Sequence, residues 1–242
     1  MIVADWICVV WQALGRATLV DWISGVGTTL TLASLWLYIW SERAASPRLA
    51  IEIGDRAGPT QYPHGKVLWV HVQVRNLPAS RWERIPLFIL RRPRRAATAV
   101  TARIWYQEVA TKRHIIRKLS ARWAGQVEPY DYIARQINPL LIPLGYTRDI
   151  PPTGQPEPIP IAIKYEGMDD CWAFTQESYL TAPDPQGRLW LAGHLRIPRG
   201  DYTVQVEVIY SGDTVVDNFR LSCRGQGLST EDFDLSRGFH GS

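Results

Sequence analysis

Hydrophobic and polar residues alternate along several segments of the chain beyond residue 47, and this period of two predicts β-strands. In Lys66 to Asn76, the residues Val70, Val72 and Val74 fall on one face, with larger or polar side chains between them. The same alternation occurs in four further segments: Val100 to Gln107, Ile159 to Tyr165, Tyr202 to Ile209 and Thr214 to Cys223. One apolar and one polar face are typical of antiparallel strands that cover a core on one side.

Turn residues separate these strands. Ser211-Gly212-Asp213 predicts a tight hairpin turn between the last two of them. The segment Pro139 to Pro160 is rich in proline, which cannot donate to a sheet, so we expect a surface crossing here rather than a central strand. Many short strands joined by turns predict one all-β antiparallel sandwich over residues 47–223.

One long apolar segment, Ala17 to Trp40, precedes the strands. A helix needs about 20 predominantly apolar residues to cross a bilayer, and Asp21 is the one formal charge inside this segment. Aromatic residues lie at both ends, with Trp22 near the first and Trp36 near the second, as in the aromatic belts of membrane helices. The sequence therefore predicts a single transmembrane helix over residues 17–40.

Other interpretations of the amino-terminal part stay open. Glycine and threonine residues inside the segment favour a buried core helix of a soluble protein instead. A cleaved signal peptide is disfavoured, because the apolar run begins at Ile2 and ends in bulky aromatic residues. Residues 1–16 are too short to span a bilayer, so they predict either an interfacial helix or a lead-in that bends near Gly15 and continues the anchor.

Basic residues flank the predicted transmembrane helix unequally. Arg16 precedes it, whereas Arg43, Arg48 and Arg56 follow it. Lysine and arginine close to a membrane span are held on the cytoplasmic side. We therefore expect a single-pass protein of the cell membrane with its carboxyl-terminal domain in the cytoplasm.

The chain has three cysteines, Cys8, Cys171 and Cys223, a count typical of a reduced compartment. The alternative is an exported sandwich in which Cys171 and Cys223 form a disulfide. The spacing of the cysteines is compatible with both interpretations.

Four strand motifs carry a resemblance to a known family. They read VHVQVRNLP, AATAVTARIWY, GDYTVQVEVIY and VDNFRLSC, and they resemble the immunoglobulin-like sandwich modules of many bacterial surface and membrane proteins. In those modules a strand ending in V-x-V-x-N is followed by an alanine-bearing strand, and the last hairpin opens with G-x-Y. The resemblance covers about two thirds of residues 47–223 and implies an immunoglobulin-like fold, without implying a particular function. The basic segment Pro78 to Thr98 departs from it.

The last residues, 224–242, are polar, rich in glycine and serine, and without periodicity. This composition predicts a disordered tail. Phe233 and Leu235 among acidic residues are an alternative docking motif, which ranks below a plain solvated terminus.

Motifs for catalysis or cofactor binding are missing from the sequence. The five histidines are scattered, and the chain contains no C-x-x-C, no H-E-x-x-H and no G-x-S-x-G motif. Asp169 and Asp170 beside Cys171 raise rather than lower the pKa of a thiol, which is the wrong direction for a nucleophile. No catalytic residue, cofactor or metal ligand is predicted.

A basic cluster, Arg91, Arg92, Arg94 and Arg95, lies in the segment that departs from the sandwich pattern. Its first interpretation is a solvated loop that shields a sheet edge. The second is contact with anionic lipid headgroups. Nucleic-acid binding ranks third, because the net charge is only +4 and no nucleic-acid-binding module accompanies the arginines.

Together these features predict a membrane-anchored β-sandwich protein that acts as a non-catalytic binding or scaffold subunit, with a protein partner of unknown identity. One alternative is an exported, membrane-anchored adhesin-like or envelope module. The other is a membrane-tethered hydrolase, for which a pocket holding paired carboxylates with different pKa values would be the structural sign.

Overall fold

The computed structural model describes residues 19–56, 58–131 and 136–238, and these fall into two compact units. One unit combines residues up to 46 with residues 79–94. The other combines residues 47–78 with residue 95 onward. The predicted amino-terminal segment 1–16 lies outside the described residues. The segment 79–94, which the sequence analysis assigns to the sandwich, belongs to the first unit.

In its described residues the first unit contains two helices, α1 (Leu19–Ala45) and α2 (Arg81–Ile89). A capping box starts α2: the Ser80 hydroxyl accepts a hydrogen bond from the Glu83 amide, and the Glu83 carboxylate accepts one from the Ser80 amide at 2.7 Å. The side chains of Ala44, Ala45 and Leu87 are buried together. Small residues at the end of α1 thus allow close packing of α2.

The prediction of a transmembrane helix, and with it a single-pass membrane protein, is wrong. No helix in the described part of the chain is long and apolar enough to cross a membrane. The glycine and threonine residues of α1 lower its mean hydropathy, and Thr28, Thr29 and Thr31 turn their hydroxyls back onto carbonyls of the preceding turn at 2.8 Å. The helix also continues past residue 40 to the charged residues Glu42 and Arg43. The tryptophans at the ends of the segment do not compensate for this polar interior.

The second unit is built from antiparallel strands. The strands are β1 (Leu49–Ile53), β2 (Thr60–Tyr62), β3 (Gly65–Asn76), β4 (Ala97–Glu108), β5 (His114–Ser120), β6 (Tyr130–Asp131), β7 (Gln136–Ile137), β8 (Arg148–Ile150), β9 (Glu157–Tyr165), β10 (Cys171–Ala173), β11 (Arg196–Ile197), β12 (Gly200–Tyr210), β13 (Asp213–Cys223) and β14 (Phe233–Arg237). Short 3₁₀ helices lie at Pro139–Leu141, Pro143–Gly145, Gln176–Tyr179 and Gly193–Leu195.

Two large sheets share one hydrophobic core. The first sheet has the order β1-β3-β9-β10-β11, with β2 also paired to β3. The second has the order β14-β13-β12-β4-β5, with β8 also paired to β4, while β6 and β7 form a separate ribbon. The Tyr106 hydroxyl of the second sheet donates to the Ile161 carbonyl of the first at 2.6 Å. Buried residues of both sheets form a single cluster, with Trp123 and Trp190 its largest fully buried side chains.

The hairpin of β12 and β13 follows directly from its sequence. Tyr202, Val204, Val206 and Val208 alternate with more exposed residues and are all buried. Tyr210 pairs with Asp213, which leaves a loop of Ser211 and Gly212, both with positive φ (47° and 86°). Positive φ at both central positions matches the right-handed twist of the two strands.

Two other expectations differ from the structure. Pro158 and Pro160 belong to β9, which lies inside the first sheet, although the prolines predicted a surface crossing. The sheet tolerates them because β10 pairs only with residues 162 and 163, beyond both prolines. The disordered-tail prediction is wrong for Phe233–Arg237, because Phe233 and Leu235 alternate into the core and form β14. Residues 239–242 of that tail lie outside the described residues.

Candidate binding site

A pocket of about 250 Å³ opens beside the middle of β3. Its wall includes Thr60, Tyr62, Trp69, His71, Pro158 and Pro160. Trp69 and His71 alternate along β3 with the buried residues Val70 and Val72, so they lie on the opposite face of the strand. The two prolines come from the neighbouring strand β9, where Pro160 pairs with His71.

The pocket lies where the edge of the first sheet is interrupted. β2 pairs with residues 65–67 of β3, and β1 pairs with residues 72–76, so residues 68–71 lie between the two pairings. The Gly54 amide donates to the His71 carbonyl at 3.0 Å, after which the connection leaves the sheet. A Cβ atom on Gly54 would lie 2.1 Å from His71 Cδ2, so this close approach requires glycine.

A cluster of aromatic rings supports the pocket wall. Trp69 stacks on Phe174 with 4.9 Å between ring centroids and meets Trp190 edge-on at 5.4 Å. Tyr62 lies nearly parallel to Trp69, with an interplanar angle of 4°. Trp190 is 1% exposed. Rings locked in this way present a fixed surface, since no side chain must be ordered before a ligand binds.

The titratable groups of the pocket wall are uncharged at neutral pH. Burial lowers the pKa of His71 below 6.5, with Asp55 acting in the opposite direction. Burial, and then the charge of Glu128, raise the pKa of the Tyr62 phenol above 10. Carboxylate, lysine and arginine side chains are missing from the wall formed by the described residues. The pocket therefore favours an uncharged, apolar ligand.

A buried polar network ties two loops together beside the aromatic cluster. The Tyr179 hydroxyl donates to Glu128 Oε2 at 3.1 Å, and the Arg122 guanidinium lies 4.9 Å from the centroid of the Tyr179 ring. Arg122 also donates to Gln176 Oε1 at 3.0 Å. Burial raises the pKa of Glu128. The hydrogen bond from Tyr179 and the charge of Arg122 both lower this pKa and so act against the effect of burial. We therefore assign the network a structural role.

The four predicted arginines do not form one solvated patch. Arg91 is exposed, with a φ of 51°. Arg92 forms an ion pair with Glu42 on α1, and Arg94, at 9% exposure, lies 3.6 Å from the Glu83 carboxylate. Arg95 belongs to the other unit. Contact of these arginines with anionic lipid stays a prediction, and two of the four already have intramolecular acidic partners.

Cys171 and Cys223 are buried, and both are free thiols. The structure brings them close together, so that each thiol shifts the pKa of the other. The predicted disulfide pair is therefore adjacent but unbridged. Cys8 lies outside the described residues.

Metal binding finds no support in the described ranges, where no three histidine, cysteine, aspartate or glutamate side chains are grouped to hold an ion. Comparisons of the chain with protein-family models, with curated proteins and with solved structures find no match. The immunoglobulin-like resemblance stays a prediction from the strand motifs.

The sequence analysis missed the aromatic pocket. Pro160 is distant in the sequence from Tyr62 and Trp69, and only the pairing of β3 with β9 brings it beside them. One signal was available in the sequence. Trp69 and His71 occupy the face of β3 that was expected to be solvated, where a tryptophan has little reason to lie unless something covers it.

Proposed function

We propose that the chain is a non-catalytic binding module and that its pocket beside β3 takes a short, extended, proline-containing segment of a partner protein. The observation that carries this proposal is the pocket wall itself, in which Tyr62, Trp69 and two prolines surround about 250 Å³ without a charged side chain. Aromatic-lined grooves are the common receptors for proline-rich segments.

The chemistry of the wall favours a peptide over a carbohydrate. A sugar ring presents several hydroxyl groups, which protein sites satisfy with precisely placed polar side chains. Among the described residues of the wall, the side-chain polar groups are the Thr60 and Tyr62 hydroxyls, the His71 imidazole and the Trp69 indole N–H. A proline ring is apolar and needs no polar partner. The backbone carbonyl of the proline residue accepts one hydrogen bond, which any one of these donors can supply.

The size of the pocket fits this class of ligand. Pockets for drug-sized molecules enclose roughly 300–1,000 Å³, so this pocket is suited to one or two side chains rather than a cofactor. A polyproline II segment loses little conformational entropy on binding, because it is already extended in solution. The remainder of the segment would continue along the interrupted sheet edge at residues 68–71.

Selection from a random peptide library displayed on phage tests the proposal, with the full chain immobilised. We expect the selected peptides to be enriched in proline and depleted in charged residues at the central positions. Binding of one selected peptide is then measured by calorimetry for the wild type, for Tyr62→Ala and for Trp105→Ala. The last variant is a control, because Trp105 lies on β4 in the other sheet.

Loss of the Tyr62 ring should weaken peptide binding at least tenfold, since removing an interface aromatic residue typically costs more than 1 kcal/mol. Trp105→Ala should bind as the wild type does. Peptides without proline, or an affinity that Tyr62→Ala leaves intact, would contradict the proposed ligand and its position.

A further inference from the structure

A second group of reactive side chains lies where the two sheets meet, away from the pocket. Lys164 of β9 is fully buried, and its Nζ atom lies 3.3 Å from Cys223 Sγ at the end of β13. The same Nζ atom lies 3.4 Å from the Asp169 carbonyl and donates to the Gly225 carbonyl. A buried ammonium group is costly unless it is hydrogen-bonded, and these acceptors offset that cost.

Cys171 of β10 completes the group. It is 0% exposed and lies two residues after Asp169, whose carbonyl contacts Cys223, and each thiol shifts the pKa of the other. Cys223 Sγ lies 3.2 Å from the Asp169 carbonyl, to which the protonated thiol donates. When Cys223 loses its proton, the sulfur instead accepts hydrogen bonds from Cys171 and Lys164. The two cysteines come from different sheets, so their contact bridges the core.

The surroundings make the two sulfur atoms unequal. The hydrogen bond from Cys171 lowers the pKa of Cys223, and the nearby Lys164 charge acts in the same direction against the effect of burial. Burial raises the pKa of Cys171 well above its ordinary value. A thiolate beside a protonated thiol is the arrangement in which one cysteine attacks an oxidant and the other resolves the product.

We propose that Cys171 and Cys223 are an oxidisable thiol pair that hydrogen peroxide converts to a disulfide between the two sheets, with Lys164 as the positioning residue. The Cys223 thiolate attacks one peroxide oxygen, the O–O bond breaks, and the departing hydroxide takes up a proton to become water. Cys223 is then a sulfenic acid. The Cys171 sulfur attacks the Cys223 sulfur, the S–O bond breaks, and the hydroxyl group leaves with the Cys171 proton as a second water. Two thiols and one peroxide thus give one disulfide and two waters.

This reaction requires little movement of one sheet past the other, because Cys223 Sγ already lies 3.2 Å from the carbonyl of Asp169, two residues before Cys171. Both are fully buried, so the oxidant must be small and uncharged, and a bulky disulfide such as oxidised glutathione should react far more slowly. The new bond closes a loop of about 50 residues between β10 and β13. A loop of this length predicts a rise in Tm of about 8–16 °C on oxidation.

Mass spectrometry of the full chain tests the proposal, in a Cys8→Ser background that removes the remaining cysteine. Treatment of the reduced protein with hydrogen peroxide should give a mass loss of about 2 Da and a linked peptide pair containing Cys171 and Cys223. Cys171→Ser should stop at a sulfenic acid, seen as a mass gain of about 16 Da, which dimedone traps once the oxidised protein is unfolded. Lys164→Met, which keeps a long unbranched side chain without its charge, should slow the reaction roughly tenfold and still give the disulfide.

Three results would overturn the proposal. The first is a mass gain of about 32 Da without disulfide, which marks sulfinic acid at an unresolved cysteine. The second is a gain of about 14 Da that links Cys223 to Lys164 through oxygen, since the lysine would then be the reaction partner. The third is no change in the folded protein at peroxide concentrations that oxidise free cysteine. If Lys164→Met is oxidised at the wild-type rate, Lys164 has no role in the reaction.

Discussion

The two sheets share one core but have different outer faces. On the second sheet, Arg103 and Lys118 each approach the Glu207 carboxylate at 3.5 Å, and Lys118 also lies over the Trp105 ring. The corresponding part of the first sheet is covered by stacked aromatic rings, with Trp190 almost fully buried. The second face is an ordinary solvated surface. A loop covers the outer face of the first sheet, except at the pocket.

The loop that closes the first sheet is held by specific contacts. The Tyr165 hydroxyl of β9 lies 3.2 Å from both the amide nitrogen and the carbonyl oxygen of Leu189. Trp190 follows with a φ of 63° and turns its ring onto Trp69 and Phe174. The pocket therefore depends on the Trp190 ring, which comes from a loop far from β3 in the sequence.

The variant Trp190→Ala should produce the largest difference between the two faces. It removes a fully buried indole, and a tryptophan-to-alanine change in a core costs about 3–5 kcal/mol. The matched change Trp105→Ala on the second sheet removes a half-exposed ring and should cost less than about 1 kcal/mol. Urea unfolding followed by circular dichroism measures both. Equal losses of unfolding free energy would mean that the faces do not differ as described.

Gly54→Ala should have a smaller effect that is specific to the pocket. The added Cβ atom meets the His71 ring at 2.1 Å, so the ring must shift, and overpacking of this kind costs about 1–3 kcal/mol. Gly58→Ala on the same connection is the control for stability, since its Cβ atom would have no neighbour within 4 Å. Denaturant unfolding measures the stability of both variants, and heteronuclear NMR reports the His71 ring. An unchanged His71 resonance in Gly54→Ala would contradict the close approach.

The strands were predictable from sequence to the extent that they depend on local alternation. β3 and β12 carry their apolar residues at every second position, and both form where this period predicts them. Phe233 and Leu235 show the same period over too few residues to stand out from a glycine-rich terminus, so β14 was missed. The transmembrane prediction failed for the opposite reason, because it gave the terminal aromatic residues of α1 more weight than the glycines and threonines between them.

The sites depend on pairings that no local pattern reports. The proximity of Cys171 to Cys223 follows from the packing of β10 against the end of β13, and the role of Lys164 follows from the same packing. The two cysteines can be considered as a pair from the sequence alone, but no local pattern connects them with Lys164. In the same way, nothing near Trp69 in the sequence indicates Phe174 or Trp190 as its neighbours.

The smallest effect expected on the first face is a dependence on pH. Burial gives His71 a lower pKa in the folded protein than the 6.5 of an exposed histidine, so the unfolded chain binds this proton more readily. The stabilisation from neutral His71 is therefore complete above pH 6.5 and is lost as the pH falls through the lower folded pKa. His64 shifts in the same direction, again through burial. Protonation also places a charge at the wall of an apolar pocket, so peptide affinity should fall over the same range.

Unfolding measured between pH 7.5 and 5 tests this dependence, with His64→Gln/His71→Gln as the matched variant. The wild type should lose stability and peptide affinity toward pH 5, whereas the double variant should show a flatter profile for both. Asp55 opposes the shift of His71, so Asp55→Asn should lower the pKa of His71 further and move the loss to lower pH. A wild-type profile as flat as that of the double variant would mean that water reaches His71 freely. The outer faces of the two sheets would then be alike in polarity at this position, and the apolar character assigned to the pocket would rest on Trp69 and the prolines alone.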